Sequence, residues 1–382
     1  MIFLAPHLSD RDHEQLERIE TLRRALALHV STPRRWLSSL RRLTIAKSVQ
    51  GSNSIEGYDA ALDDVIAAGD GDDPLDAKED TYQSLRGYQT AMTYVLQLAR
   101  DGSPPTIDES LIRSLHFMML SHDLSRRPGL WRPGAIWVER DPDQQVVYEA
   151  PPVDAVPGLV GELVMSLNAD PGPALVRAAM AHLNLVMIHP FSDGNGRMAR
   201  CLQTLVLARD RVVAPEFSSI EEYLGAHTRE YYEVLADVGH GSWHPERNAT
   251  RWLRFCLTAH EGQASRVLQR VHDTQRLWEL CGDLAATNRL PARTVPALVD
   301  AARGFRLRNQ TYRRLVERSE GDPIAELTAT RDLKAMVDSG LLQARGERRG
   351  RIYLAGEPLR QAWRTVRDLR PARTRPEDVT PP

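Results

Sequence analysis

Residues 173–188 read Pro-Ala-Leu-Val-Arg-Ala-Ala-Met-Ala-His-Leu-Asn-Leu-Val-Met-Ile, the stretch that most narrows the folds open to this chain. It is rich in Ala and Leu, lacks internal Gly and Pro, and is apolar nearly all round. Such a segment predicts a buried central helix. Pro190 has no backbone N–H and restricts the residue before it, so the helix should stop near His189. From Arg197 to Asp210 the chain again has helical composition. The stretch is therefore a helix–loop–helix, and the loop feeds the N-terminus of the second helix.

The loop reads His189-Pro190-Phe191-Ser192-Asp193-Gly194-Asn195-Gly196-Arg197, with Arg200 one turn later. The first N–H groups of a helix are unpaired and carry partial positive charge. Gly194 and Gly196 allow close backbone approach, so the loop predicts an anion nest suited to phosphates. Arg197 and Arg200 add planar, permanently charged donors. Asp193 is a hard oxygen ligand suited to Mg²⁺ that bridges phosphates. His189 titrates nearest neutrality and is the natural general base. Phe191 is the apolar anchor of the loop. A capping His, a plain Gly-Asn-Gly turn or a solvated Arg pair would each explain one residue type; a phosphate site explains all of them together.

This run with Arg200 resembles the Fic-domain signature, His-Pro-Phe-x-Asp/Glu-Gly-Asn-Gly-Arg-x-x-Arg, at every specified position. The resemblance implies a mainly α fold with a helical core and a short β-hairpin flap. It also implies transfer of AMP from ATP to a Tyr, Thr or Ser hydroxyl of a protein, with Mg²⁺. Carried over by position, His189 deprotonates the target hydroxyl and Asp193 holds the metal. Ser192, Gly194, Asn195 and Gly196 line the phosphates, and Arg197 and Arg200 grip the β- and γ-phosphates. Gly196 speaks against the kinase-like branch, which has Lys there. Leu115–Leu120 and Pro128-Gly-Leu-Trp-Arg132 resemble the opening of such a core. Val146, Val147 and Tyr148, closed by Pro151-Pro152, resemble the flap that pairs with the target's main chain; an ordinary surface hairpin is the competing reading. Tyr231 and Tyr232 resemble the wall on the nucleotide side, with core packing as the alternative for each.

Upstream, Ser52-Asn53-Ser54-Ile55-Glu56-Gly57 fits the family's inhibitory pattern, Ser/Thr-x-x-x-Glu-Gly/Asn. By itself the hexamer could equally be a helix end closed by Gly57. The resemblance implies a helix from about Pro33 towards Glu56, with Glu56 pairing with Arg200 and displacing the γ-phosphate. Inhibition would then lie within this chain. In some family members the same glutamate positions a water that removes AMP from a modified target, so de-AMPylation is a second implied activity.

Composition sets the remaining limits. The chain has 382 residues, 42% hydrophobic and 26% charged, with a net charge of −2, ordinary for globular domains and without a global pull towards nucleic acid or membrane. Met1–Pro6 is too short for a signal peptide, and no apolar run approaches a membrane span. Cys201, Cys256 and Cys281 are isolated in helix-like segments and read as buried thiols of a cytoplasmic protein. Asp70-Gly-Asp-Asp73 lacks the calcium-loop spacing and reads as a solvated acidic loop.

The expected organisation is an N-terminal helical segment (1–65), a catalytic core (75–260), a connecting helix (261–288), a basic domain (289–356) and a disordered tail (370–382). The basic domain holds fourteen Arg or Lys against eight Asp or Glu, a local net of +6. Its predicted order is helix 309–318, helix 322–338, a strand from Gly340, a basic tip at 346–350 and a returning strand at 352–354. That order is similar to a winged helix-turn-helix, a combination common in larger Fic proteins. Two uses compete: DNA binding through Thr328, Thr330, Arg331, Arg348, Arg349 and Arg351, or a protein-interaction or homodimer module. Two function classes follow, a self-inhibited AMP transferase and a winged-helix regulator with a vestigial core.

Overall fold

A computed structural model describes all residues except 33, 102–105, 141–144, 170, 171, 210, 212, 348, 349 and 371–382. The chain is mainly α-helical and divides into two compact units, 1–33 with 41–268, and 34–40 with 269–382. The expected N-terminal segment is therefore no separate body: most of it folds with the core. Its helices are α1 (Asp10–Ser31), α2 (Leu37–Ser54) and α3 (Leu62–Asp70). Next come α4 (Glu79–Arg100), α5 (Glu109–Leu120), α6 (Val156–Ala169), α7 (Ala174–Ile188) and α8 (Asn195–Ala208). Short helices α9 (Pro215–Ser218), α10 (Glu221–Ala226) and α11 (Thr228–Gly239) follow, then the long α12 (Thr250–Thr287).

The apolar stretch around 173–188 becomes α7, and all its residues except Ala174, Arg177 and Val186 are buried. It packs against α6 and α8, and α8 packs in turn on α4, α5 and α9. Every residue of α8 except Gly196 is buried, including both arginines. That places two charged side chains at the centre of a helical core, where water cannot satisfy them. α7 ends at Ile188 as expected, because His189 adopts a left-handed conformation (φ 50°) and Pro190 follows.

Strands β1 (Trp137–Arg140) and β2 (Gln145–Glu149) pair antiparallel with a register shift between Val138 and Glu139. A two-residue strand, β3 (Gly241–Ser242), adds in parallel at Tyr148 and Glu149. The expected hairpin is thus the larger part of a three-stranded sheet with β2 in the middle.

The acidic loop starts later than expected, since Gly69 and Asp70 still belong to α3. It is also not simply solvated. Asp70 accepts from Arg42 Nη2 at 2.7 Å with its side chain 4% exposed, and the Tyr82 hydroxyl donates to Asp72 O.

The second unit holds the end of α12, α13 (Val295–Ala302), α14 (Asn309–Glu320) and α15 (Glu326–Asp338). Strands β4 (Leu342–Arg345) and β5 (Ile352–Ala355) form an antiparallel hairpin, and α16 (Glu357–Asp368) closes the unit. Leu298, Tyr312, Leu333, Leu342 and Leu359 share its core. The expected helices and hairpin appear in order. The connecting helix does not stand alone, because it is the latter part of one 38-residue helix. Neither α13 nor α16 was expected. Arg348, Arg349 and the tail after Arg370 lie outside the described residues.

Candidate active site

The loop between α7 and α8 is held by side chains that the surrounding helices deliver. Asn195 is buried and clasps the Phe191 backbone in both directions: Nδ2 donates to Phe191 O and Oδ1 accepts from Phe191 N, each at 2.9 Å. Its side chain is therefore committed to the loop, and a place beside phosphate falls to its backbone. Its backbone N–H remains at the helix start. The first intrahelical bond is Met198 N to Gly194 O, so the N–H groups of Asn195, Gly196 and Arg197 precede the ladder. Gly194 caps the helix at φ 74°, a conformation costly for other residues.

His116 on α5 is a fixing residue that the motif does not mention. Its ring stacks on Phe191 with centroids 3.6 Å apart and planes within 3°. Gly129 N–H donates to Nδ1 at 2.8 Å, so Nε2 carries the proton and donates to Asp193 O at 2.9 Å. Burial lowers its pKa to about 4, which keeps the ring neutral and this tautomer intact. Arg132, also buried, clips the other side of the loop. It donates from Nε to His189 O at 2.9 Å and from Nη2 to Pro151 O at the base of the flap.

His189 faces the loop with Nδ1 bonded to Val186 O at 3.1 Å, leaving Nε2 as the lone-pair nitrogen. Burial lowers its pKa below the ordinary histidine value, so the neutral, basic form dominates near pH 7. Ser192 is half-buried beside it.

The two arginines are treated differently. Arg200, 1% exposed, donates from Nε to Ser52 Oγ (2.7 Å), and from Nη2 to Ser52 O (3.0 Å) and Glu56 Oε1 (2.6 Å). Burial works against its charge, but Glu56 together with Tyr231 and Tyr88 outweighs it and raises the pKa. Arg197, also 1% exposed, has no such satisfaction. Among the described residues its buried Nε and Nη1 have no hydrogen-bond partner, and Nη2 lies 3.7 Å from Asp193 Oδ2. A Cβ at Gly196 would come within 2.5 Å of Glu56 Oε1, so the carboxylate lies against the backbone of the nest itself.

Two glycines bring α2 to this place. A Cβ on Gly51 would meet Glu221 O at 2.4 Å, and one on Gly225 would meet Gly51 Cα at 2.7 Å. The backbones of α2 and α10 touch there, and Ser52 begins the inhibitory pattern at the next residue. α2 ends at Ser54; Gly57 turns left-handed (φ 81°) and Tyr58 N–H donates back to Asn53 O at 3.0 Å. The hexamer therefore closes a helix, and the closure presents Glu56 to Arg200.

The tyrosines separate. Tyr231 is 1% exposed, contacts the Trp252, Phe255 and Tyr232 rings, and its hydroxyl meets His182 Nε2 at 3.0 Å. It is a core residue, not a wall open to nucleotide. Tyr232 is 45% exposed, with its hydroxyl donating to Ile55 O. On the flap, Val146 is exposed and Val147 half-buried, while Tyr148 is buried and its hydroxyl donates to Met187 O at 2.8 Å. Tyr148 thus anchors the flap by its side chain, and its backbone already lies between Val138 of β1 and Gly241 of β3.

Asp193 Oδ1 accepts from Gly194 N, and Oδ2 from Arg126 Nη1 at 2.5 Å. Burial pushes this carboxyl up, but Arg197 and Arg126 outweigh it and hold the pKa below the ordinary value. Among the described residues no three His, Cys, Asp or Glu side chains gather as a metal cage. A single carboxylate beside a phosphate nest fits Mg²⁺ brought in by phosphates, a cation that usually keeps few protein ligands. Among the described residues no helix is long and apolar enough to cross a membrane. The three cysteines are buried and unpaired.

Residues 106–207 match the model of the Fic/DOC family. Over 254 residues the chain is 28% identical to protein adenylyltransferase Fic of Nematostella vectensis, covering 63% of this chain and 54% of that one. Over 97 residues it is 35% identical to protein adenylyltransferase fic-1 of Caenorhabditis elegans, covering 25% and 18%. The chain thus spans about half or less of the length of these relatives. A crystal structure of a Fic family protein from Desulfovibrio desulfuricans G20 superposes with a TM-score of 0.59 at 21% identity, covering 93% of this chain and 99% of that one. Fic-1 of C. elegans (residues 134–508) gives 0.54 at 22% identity, covering 68% and 72%. His189, Asp193, Arg197 and Arg200 of the helix–loop–helix thus all lie within the segment that matches the Fic/DOC family.

Proposed function

We propose that this chain is a self-inhibited protein adenylyltransferase that moves AMP from ATP to a Tyr, Thr or Ser hydroxyl. The observation that carries this reading is Arg197. A guanidinium 1% exposed, with two N–H groups lacking partners among the described residues, costs stability unless an anion arrives. It sits in the first turn of α8, where backbone N–H groups also await an anion.

In this reading the triphosphate lies over the nest, with Arg197 and Arg200 on its outer phosphates. A divalent cation held by Asp193 would offset phosphate charge. His189 Nε2 accepts the proton of the target hydroxyl as its oxygen bonds to the α-phosphorus. The bond from that phosphorus to the bridging oxygen breaks, and pyrophosphate leaves. A target segment would pair by main chain with the outer edge of β1 or the uncovered part of β2. Tyr232, rather than Tyr231, is the exposed ring available to the base. With Glu56 on Arg200, the γ-phosphate loses one of its two arginines and meets a carboxylate, so the α-phosphate is held out of line with the attacking oxygen.

The test compares wild type, Glu56→Gly and Glu56→Gly/His189→Ala with α-labelled ATP, Mg²⁺ and cell lysate. Strong labelling is expected only in the single variant. No label there would sink the transferase reading. Faster release of AMP from a premodified target by wild type than by Glu56→Gly would assign the reverse reaction to Glu56.

A further inference from the structure

Arg126 lies at the end of the short turn Leu124–Arg126, outside the signature and outside the inhibitory hexamer. Its guanidinium gathers three groups: Nη1 donates to Asp193 Oδ2 at 2.5 Å and to the Tyr58 hydroxyl at 3.0 Å, and Nε donates to Asp123 Oδ2 at 2.9 Å. Tyr58 follows the Gly57 turn directly, and its ring lies over the Arg197 guanidinium, 5.2 Å from centroid to Cζ. The segment that presents Glu56 to Arg200 therefore continues onto Arg197 and, through Arg126, onto the carboxylate of Asp193.

We infer that Arg126, oriented by Tyr58, is a positioning residue that occupies the metal-ligand oxygen of Asp193 in the closed state, a second lock separate from that of Glu56 on Arg200. The inference rests on the reading of Asp193 as the metal ligand. Asp193 Oδ1 is already engaged by Gly194 N–H, so Oδ2 is the oxygen left for a cation. A guanidinium on that oxygen and a dication at bonding distance from it would be like charges side by side. One must leave. Arg126 and Asp193 are each about a third exposed, so the pair can open into water without refolding the loop. The lock on Arg200 is different: it opposes the γ-phosphate, which is absent from ADP.

ADP therefore reads the second lock alone. The experiment measures ADP binding by the full chain as Mn²⁺ is raised, with free Mn²⁺ followed by paramagnetic resonance. Arg126→Ala is expected to lower the Mn²⁺ concentration for half-maximal ADP binding by about two- to fivefold, the scale of a partly exposed ion pair. Metal-free ADP affinity should not move, because Arg126 touches the carboxylate and not the nest. Arg126→Lys keeps the charge and should stay near wild type; Tyr58→Phe removes only the orienting hydroxyl and should shift the midpoint less, in the same direction as alanine. Glu56→Gly should leave the Mn²⁺ midpoint for ADP in place. A midpoint that is unchanged or raised in Arg126→Ala, with melting as in wild type, overturns the inference while leaving the nucleotide site standing. A shift in Glu56→Gly equal to that in Arg126→Ala also overturns it, since the locks would be one. ADP binding in none of the proteins would remove the underlying reading, and the inference with it.

Discussion

Replacing Glu56 by glycine removes the carboxylate that is ion-paired with Arg200, and the geometry sets the size of the effect. Taking one member from a buried ion pair costs about 3–5 kcal/mol. Here Glu56 keeps 25% of its side-chain surface exposed, and Arg200 retains both bonds to Ser52. A loss of about 1–3 kcal/mol is therefore expected in the free protein, and at about 2–4 °C per kcal/mol the melting temperature should fall by about 2–12 °C. ATP reverses the sign. Its γ-phosphate supplies the charge-assisted bond that Glu56 gave up, worth about 1.5–3 kcal/mol. The preference for ATP over ADP should rise about ten- to hundredfold. Thermal shift with each nucleotide, followed by titration calorimetry, measures both halves. Glu56→Gln, which keeps the shape and loses the charge, should fall between. A variant that melts above wild type without nucleotide, or that shows the wild-type ratio of ATP to ADP affinity, would refute the competition between Glu56 and phosphate.

Three further outcomes follow from the same geometry. Arg197→Met exchanges an unsatisfied buried guanidinium for an apolar side chain, at the loss of a cation–π contact with Tyr58; melting should be unchanged or a few degrees higher, while stabilisation by ATP and Mg²⁺ disappears. A melting loss beyond about 5 °C contradicts it. Gly196→Ala places a Cβ 2.5 Å from Glu56 Oε1 and 3.2 Å from Arg200 Nη1, so it should destabilise wild type and cost less in the Glu56→Gly background, where only the Arg200 contact remains; a double-mutant cycle should show about 0.5–3 kcal/mol of coupling, and additivity would refute the contact. Acid unfolding carries the signature of the neutral buried histidines. Burial depresses His116 to about 4 and His182 and His260 to about 3. The unfolded chain thus takes up protons below its ordinary histidine pKa, about 6.5, while the folded chain does not. Each histidine should cost about 1.4 kcal/mol per pH unit down to its folded value. Glu221, raised by burial to about 7, acts in the opposite sense, since its stabilising contribution is lost as pH rises from 4.5 to about 7. Stability should therefore fall below pH 6.5 by about 3 kcal/mol per pH unit, and by about 4 per unit between pH 4.5 and 4, where Glu221 no longer compensates; a flat melting temperature from pH 6 to 4 would contradict the burial of these rings.

Much of the site was legible because its chemistry is local. An uninterrupted apolar run, a proline stop and a glycine-bearing restart fall within one short stretch, and local sequence fixes local backbone. The hexamer at Ser52 was legible for the same reason, as a helix end closed by Gly57. The side chains that share a wall with the loop were harder to read. Tyr231 and Tyr232 are neighbours in sequence, yet one faces Trp252 and the other solvent, because a helix turns about 100° per residue and only its packing decides which direction is inside. Asn195 carried a phosphate expectation that falls to its backbone, since its side chain closes the loop on Phe191.

By itself the sequence determined the helical class, the helix–loop–helix, and which residue types could handle a proton, a metal and a phosphate. The tertiary structure alone decided the partners. It stacked His116 on Phe191 from 75 positions away, laid Arg132 under His189, and set Arg126 between Tyr58 and Asp193. It also brought Glu56 to Arg200 by letting α2 and α10 touch at two glycines. The physical reason is range. Backbone conformation follows from neighbours along the chain, whereas a buried charge must find its counter-charge wherever helix crossings deliver one, and those crossings are set by the packing of the whole unit.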